Sequence, residues 1–356
     1  MLFARSRNLV GLDIGDSAIK LAELRDLGRG RGSQLVALAS EPLSGEAIVD
    51  GAIMDSGVVI ETIQRLFRNS GVRNKQVATS LSGHAVIIKR VSLPVMNEQE
   101  LVESIQWEAE QYIPFDIEDV SMDYQILEGT SLSGEGNMDV LLVAVKKDKI
   151  SDYTNVVTQA GLQPVVVEVD AFSLQNAFEA NYDPEPQQVI ALIDIGAAVT
   201  SITLLQGSNP SFWRDINIGG NQYTDAIQKE LNLNQDTAER LKRGEDVSGA
   251  KSDNVVPILA AVTEDVCSEI QKTIDFYKAT SASDEPLDRI YLTGGASQLG
   301  NLKDALAQRF RTSVEYMNPF RKIQTASRDL SPEVVTRMSP GSAVAVGLAL
   351  RKVGDR

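Results

Sequence analysis

The apolar and polar positions fall into segments that recur. Residues 8–14 (Asn-Leu-Val-Gly-Leu-Asp-Ile) are an apolar run of the buried-strand type that ends in a Gly-Asp-Ser turn. Residues 17–24 alternate with period two, setting Ala18, Lys20, Ala22 and Leu24 on one face and Ile19, Leu21 and Glu23 on the other. That alternation predicts the return strand of a hairpin. Residues 57–70 carry Val58, Val59, Ile63, Leu66 and Phe67 at helical spacing, and Gly71 ends the helix in the C′ position.

Strands are predicted next at 76–81 and 85–93, the second stopped by Pro94. Asn97 and Glu100 form a capping-box pattern for a helix that lines Leu101, Val102, Ile105, Ala109 and Tyr112 on one face. Trp107 falls roughly 200° round that helix from Ile105, away from the stripe. Strands at 121–127 and 139–145 flank a Gly/Ser loop at 128–137, and a helix at 148–160 leads through Gly161 to a strand at 164–169. This β-α-β-β-α-β order predicts an α+β module of residues 76–166 inserted into the first half.

After the rigid stretch Asp183-Pro184-Glu185-Pro186, the opening pattern returns as Leu192-Ile193-Asp194-Ile195-Gly196, followed by an alternating strand from Val199 to Leu205. Asp194 follows Asp13 by 181 residues (194 − 13), and the glycines two positions on coincide as well. A repeat that long implies two structurally related halves. Helices are predicted at 222–230, 235–243, 254–279 and 299–309, with a polar loop at 244–253. A strand at 289–293 runs into Gly294-Gly295-Ala296, and a last helix spans 341–350.

Composition narrows the chemistry. A formal net charge of −15 and a pI near 4.7 repel nucleic-acid phosphate and anionic headgroups. Neither nucleic-acid binding nor direct membrane insertion is expected. The single cysteine, Cys267, precludes an intramolecular disulfide and suits a reducing compartment. The single histidine, His84, argues against His-rich zinc sites and Ser/His/Asp hydrolysis; it reads as a turn residue. No apolar run reaches the roughly 20 residues of a membrane span. Asp13 and Asp16 interrupt the segment behind the basic start, so no signal peptide is expected. A cytoplasmic protein is predicted, with any membrane attachment made through a partner.

An aspartate at a strand end followed by Gly lets backbone N–H groups approach phosphate oxygens closely. The carboxylates of Asp13 and Asp194 would face the hydration shell of a Mg²⁺ ion. One Asp-Ile-Gly is also an ordinary turn, whereas two at matching places favour a phosphate site. Lys20 on the return strand is placed to reach a β- or γ-phosphate. A strand ending in Gly294-Gly295-Ala296 lets a planar ring lie on the backbone. The chain has neither the G-x-G-x-x-G nor the G-x-x-x-x-G-K-[ST] loop.

The order of phosphate loop, inserted module, second phosphate loop, Gly-Gly turn and long helix resembles the actin/Hsp70/sugar-kinase superfamily. Within it the chain is similar to the PilM family, the actin-like proteins of type IV pilus assembly, over nearly its whole length. The resemblance rests on Gly11-Leu12-Asp13-Ile14-Gly15 with Lys20 and Leu21, Val167-Glu168-Val169-Asp170-Ala171, Ala238-Glu239-Arg240-Leu241-Lys242, Glu269 to Tyr277 and Gly347-Leu348-Ala349-Leu350. Most discriminating is Trp107-Glu108-Ala109-Glu110-Gln111-Tyr112-Ile113-Pro114-Phe115.

The resemblance implies an α/β actin-like (ribonuclease H-like) fold with ATP and Mg²⁺ between two lobes. Residues 1–75 and 167–184 would form lobe 1A, 76–166 a 1C-type module, 187–220 and 287–356 lobe 2A, and 221–286 a helical subdomain 2B. By motif position Asp13, Gly15, Ser17, Lys20, Asp194, Gly196 and Thr200 would surround phosphates and metal. Gly219, Gly220, Glu239, Lys242, Glu269, Lys272, Gly294, Gly295 and Ala296 would surround the adenosine. Asp16 adds a negative charge to the first loop, and Ala197-Ala198 leaves the second with backbone donors only; both departures speak against fast hydrolysis. The implied partner is the N-terminal cytoplasmic segment of a PilN-like inner-membrane protein, received near Trp107, Tyr112 and Phe115, with pilus motor ATPases beyond it. The implied role is in pilus biogenesis and twitching motility. A small-molecule kinase, for which Asp170 is the obvious carboxylate, and an FtsA-like division protein are the alternatives. The second needs a C-terminal amphipathic helix, which residues 351–356 do not suggest.

Overall fold

The computed structural model describes residues 8–28, 30–44, 46–127, 136–247, 251–281, 286–325 and 330–355, with backbone alone at Glu98. The basic start, most of the 128–137 loop and part of the 244–253 loop lie outside the described residues.

The chain opens with β1 (Val10–Ile14), β2 (Ala18–Asp26), β3 (Ser33–Pro42), the short hairpin β4 (Ile48–Val49) and β5 (Ala52–Ile53), α1 (Ser56–Ser70) and β6 (Gln76–Leu81). It continues through β7 (Val86–Pro94), α2 (Glu98–Ala109), β8 (Val120–Leu127), β9 (Asn137–Lys146), α3 (Lys147–Gln159), β10 (Gln163–Val169) and α4 (Asp170–Asn181). The second half holds β11 (Val189–Ile195), β12 (Thr200–Gln206), β13 (Asn209–Ile216), α5 (Gly220–Leu231), α6 (Gln235–Lys242) and α7 (Val256–Ser281). It ends with β14 (Arg289–Thr293), α8 (Leu302–Phe310), β15 (Ser313–Tyr316), α9 (Pro332–Met338) and α10 (Ala343–Leu350).

Two five-stranded sheets share one plan, β3-β2-β1-β6-β10 and β13-β12-β11-β14-β15. In each, three antiparallel strands continue into two parallel ones. The repeat extends to register, for Asp13 pairs with Lys20 in the first sheet and Asp194 with Ser201 in the second. Residues 76–81 and 163–166, expected in the inserted module, lie in the first sheet instead, where β6 joins β1 to β10 by parallel pairing. The module is thus the three-stranded sheet β7-β9-β8 with α2 upon it. Tyr153, Val156 and Val157 pack α3, also expected in the module, into the core of the first lobe.

Helix α2 starts at the predicted capping box, with Asn97 and Glu100 bonded reciprocally. Leu101, Ile105 and Ala109 face the module core as expected. Val102 and Tyr112 do not: both are exposed, because a single small sheet covers only the narrow i, i+4, i+8 stripe. Helix α1 is capped by Asp55 and ends at Gly71, whose φ of 69° suits glycine.

At the base the lobes are joined by two helices that cross. Helix α4 leads out of the first lobe, and α10, expected with the second, packs on β1, β2 and α4 of the first. Leu174 and Phe178 of α4 and Tyr182 directly after it share one apolar cluster with Ala22 and Leu35 of the first sheet, Ile190 and Tyr291 of the second, and Ala345 of α10. The Tyr182 ring stacks on Phe178 at 5.0 Å and meets Tyr291 at 4.8 Å. The crossing depends on glycine. A Cβ at Gly347 would overlap the Ser173 carbonyl oxygen, and one at Gly11 would overlap that of Ala345. Both neighbours are backbone, so neither can swing aside.

Gly347→Val is therefore expected to lower stability by about 3 kcal/mol or more. Urea unfolding followed by circular dichroism measures it, and a loss below about 1 kcal/mol contradicts the close crossing.

Candidate functional site

Both Asp-x-Gly segments fold into the same tight turn. Gly15 N donates to Ala18 O at 3.2 Å, and Gly196 N to Val199 O at 2.9 Å. A Cβ at Gly196 would lie 2.8 Å from Val199 O and would force this turn open. The hairpin register sets Lys20 opposite Asp13, and its Nζ donates to Asp13 Oδ2 at 2.8 Å.

Charge concentrates between the two turns. Burial pushes the Asp194 carboxyl up to about 7; Lys20 opposes this, while Asp13, Asp170 and Asp215 reinforce it. Asp170, the first residue of α4, is also raised by burial and then by Asp13, against the hydroxyls of Ser80 and Ser82. Burial alone would depress the Lys20 ammonium, yet Asp13, Asp194 and Asp170 together hold it above its ordinary value. Carboxylates therefore outnumber ammonium groups here, an imbalance that a divalent cation offsets. Among the described residues no three His, Cys, Asp or Glu side chains converge as direct metal ligands.

A second set of backbone contacts builds the far wall. Gly220 N donates to Gly196 O at 2.9 Å, Asn221 N to Ala197 O at 2.8 Å and Ala296 N to Ile195 O at 3.0 Å. The residues 196–198, 219–220 and 294–296 thus form one continuous backbone surface. Gly294 has φ of +93°, and a Cβ there would overlap Ile195 O. Gly295 is exposed and has no atom within 4 Å of where a Cβ would stand, and Gly341 faces it. Above Gly220, Lys242 Nζ donates to Gly220 O at 3.1 Å and to Thr224 Oγ1 at 2.8 Å. It also pairs with Glu239 at 2.5 Å. Burial, more than any neighbour, lowers the Lys242 ammonium.

Other predicted residues stand differently. Thr200 is buried and its Oγ1 donates to Ile218 O at 2.6 Å, so its hydroxyl is committed to the fold. Glu269 and Lys272 pair with each other at 2.6 Å on the outer side of α7. The inward stripe of α7 is taken by Val266, Ile270 and Ile274, which leaves that pair on the side away from the core. Ser17 is exposed, whereas Asp16 Oδ1 accepts from Gly51 N at 3.3 Å and is raised by burial. Trp107 is 72% exposed, Tyr112 is exposed, and Phe115 lies under the Lys146 ammonium at 4.4 Å.

Three residues escaped the sequence reading. Asp215 Oδ2 accepts from Gly83 N at 2.8 Å, so the β6–β7 loop reaches the second lobe. Asn217 Nδ2 donates to His84 Nε2 at 2.6 Å beside it. Lys149 lies among Asp16, Asp170 and Asp215. A cavity of about 210 Å³ opens here between β7 and β13, with Val86, Lys89, Trp213 and Asp215 in its wall. A larger one, about 300 Å³, lies between α1 and the end of α3, away from both turns. No helix among the described residues is long and apolar enough to cross a membrane.

Two sheets of one strand order, each presenting an Asp-x-Gly turn to a shared cleft, define an actin-like α/β protein. The chain belongs to the PilM family: the family model for the type IV pilus assembly protein PilM matches residues 11–353. Its structure is similar to the PilM–PilN type IV pilus biogenesis complex at 31% identity and a TM-score of 0.87, covering 98% of this chain and 100% of that one. The fold is shared by ethanolamine utilization protein EutJ from Carboxydothermus hydrogenoformans, at 16% identity and a TM-score of 0.57 over 96% of this chain and 89% of that one. It is shared too by MreB5 of Spiroplasma citri bound to ADP, at 14% identity and a TM-score of 0.52 over 96% and 95%. The kinase and division-protein alternatives are not favoured by this membership.

Asp194 supplies a pH dependence of definite sign. Its native carboxyl titrates near 7, above the ordinary carboxylate value, so the folded state binds the extra proton. Its contribution to stability is full at low pH and is lost as pH rises through about 7. Asp194→Asn removes that loss. Thermal melting from about pH 5 to pH 8, without nucleotide or metal, is expected to show a shallower decline in the variant. Parallel declines contradict the assignment.

Proposed function

We propose that the protein is an ATP-binding, cytoplasmic scaffold of the type IV pilus machine. It docks on the inner membrane by binding the N-terminal cytoplasmic segment of a PilN-like protein. The observation that carries this reading is the similarity, over the full length of both chains, to the structure of a PilM–PilN complex. That MreB5 shares the fold and carries ADP supports a nucleotide in the cleft.

The residues present fit such a nucleotide. Gly15, Ser17, Lys20, Gly196, Ala197 and Ala198 would bind the phosphates, largely by backbone N–H groups and one ammonium. Asp13 and Asp194 would hold Mg²⁺ through water, and the surplus of carboxylates gives the dication its reason to be there. The open face over Gly295 is a cradle that any side chain would fill, and suits a flat ring. Gly219 and Gly220 would line the ribose, with Glu239 and Lys242 over it.

Lobes 1A and 2A would then be built on the two five-stranded sheets, the 1C module on β7-β9-β8 and 2B on α5, α6 and α7. The exposed rings of Trp107 and Tyr112 beside Phe115 offer the partner peptide apolar contacts on an acidic helix. Through that partner the protein would sit at the membrane and couple motor ATPases to the pilus.

Calorimetry with Mg-ATP is expected to show binding to the parent and at least a 100-fold loss in Asp13→Ala, about 2.7 kcal/mol, with an unchanged circular-dichroism spectrum. Equal affinities contradict the site. A peptide of the partner's N-terminal segment is expected to bind the parent, and Trp107→Ala to weaken it by about 1–3 kcal/mol. Unaltered peptide binding removes Trp107 from the interface.

A further inference from the structure

Lys149 stands in the first turn of α3, directly after the middle strand of the module sheet. A lysine on an amphipathic helix ordinarily reaches for water. This one turns back into the lobe. Its Nζ donates to Ser82 O in the β6–β7 loop and lies 5.6 Å from the centre of the Tyr153 ring. A Cβ built on Gly51 would come within 2.9 Å of the same nitrogen. Gly51 forms the tip of the β4–β5 hairpin with Asp50, both at positive φ. Its N–H donates to Asp16 Oδ1 at 3.3 Å, and its carbonyl accepts from the Tyr153 hydroxyl at 3.0 Å. The first phosphate turn, the hairpin tip, α3 and the β6–β7 loop therefore meet at one ammonium.

The β6–β7 loop continues this contact into the second lobe. Gly83 N is bonded to Asp215, and His84 to Asn217. Asn217 O accepts from Gln222 Nε2 at 3.1 Å, and Gln222 Oε1 accepts from Gly219 N at 3.0 Å. That chain of bonds ends at the glycines that open α5. Burial pushes the Lys149 ammonium down, while Asp170, Asp16 and Asp215, from three separate elements, push it back.

Two connections join the module to the first lobe, β6 to β7 and β9 to α3. Lys149 belongs to the second and grips the first. We propose that Lys149 is a positioning residue of the nucleotide site, which acts through Asp16 and Ser82 to couple the first phosphate turn to the seating of the inserted module. This rests on the ATP reading above. Phosphate in the first turn adds negative charge near the half-buried ammonium and stabilises the cation in the place from which it holds Ser82 O. The β6–β7 loop and α3 then open less often. The coupling is reciprocal, so a ligand seated on the module alters nucleotide affinity by the same factor.

Hydrogen–deuterium exchange of the whole protein with and without Mg-ATP, alongside calorimetry, tests the proposal in the parent, Lys149→Met and Lys149→Arg. In the parent, nucleotide is expected to slow exchange at residues 82–89 and 147–153. Lys149→Met is expected to bind about 10-fold more weakly and, even at saturating nucleotide, to lose that protection. Lys149→Arg restores part of both, which a merely structural role would not require. Asp16→Asn provides the same test from the other side of Gly51 should Lys149→Met fail to fold. Normal binding in the parent with protection unchanged in the folded variants overturns the role of Lys149 and leaves the nucleotide reading intact. A parent that binds no Mg-ATP overturns both.

Discussion

The closeness with which α4 and α10 cross governs the rest of the molecule. One helix carries the chain from the first lobe to the second, and the other brings it back onto the first sheet. They touch through bare backbone at Gly347, while Gly11 lets β1 lie against α10 without a side chain between. Interiors packed this tightly have discrete arrangements rather than a continuous range. The apolar cluster around Phe178 and Tyr182 then belongs to both lobes at once. The two lobes are thereby tied at this base by packed backbone and a shared core rather than by a single strand of linker.

The turns that face the cleft divide their work between backbone and charge. Gly15, Gly196, Gly220 and Gly294 bring N–H and C=O groups near one another, and at Gly196 and Gly294 a side chain would collide with backbone. The carboxylates of Asp13, Asp170, Asp194 and Asp215 sit behind them, with Lys20 and Lys149 as the ammonium groups among them. Crowding of like charges with little water is unfavourable by itself, as the raised carboxyls show. A cation placed between them would relieve that crowding. The same low dielectric that makes the cleft costly gives each nearby charge a long reach.

What the amino-acid pattern disclosed was local in origin. The recurrence of Asp13-Ile14-Gly15 as Asp194-Ile195-Gly196 is visible because a turn writes its requirements into adjacent residues. The capping box at Asn97 and Glu100, and Gly71 beyond α1, are legible for the same reason. Partners distant along the chain leave no such mark. Nothing in residues 76–81 says that β6 pairs with β1 and β10, so apolar runs alone placed these strands in the wrong unit. Strands β3 and β15 lay between stronger signals and went unread. Lys149 looked like any solvated helix lysine, and Thr200 like any hydroxyl beside a phosphate turn, until the contacts of each were known. Glu269 and Lys272 are the opposite case: their helix was legible, but the way that pair faces on it was not.

One pair of equivalent positions breaks the likeness of the halves. Lys20 and Ser201 occupy the same register opposite their aspartates, yet one is a cation and the other a neutral hydroxyl. An exact duplicate would present two interchangeable ends to an elongated anion. Here the ammonium stands on one side of the cleft and the open glycine surface at Gly295 on the other. The repeated scaffold is thereby a directional one, with a head and a tail that the repeat by itself does not supply.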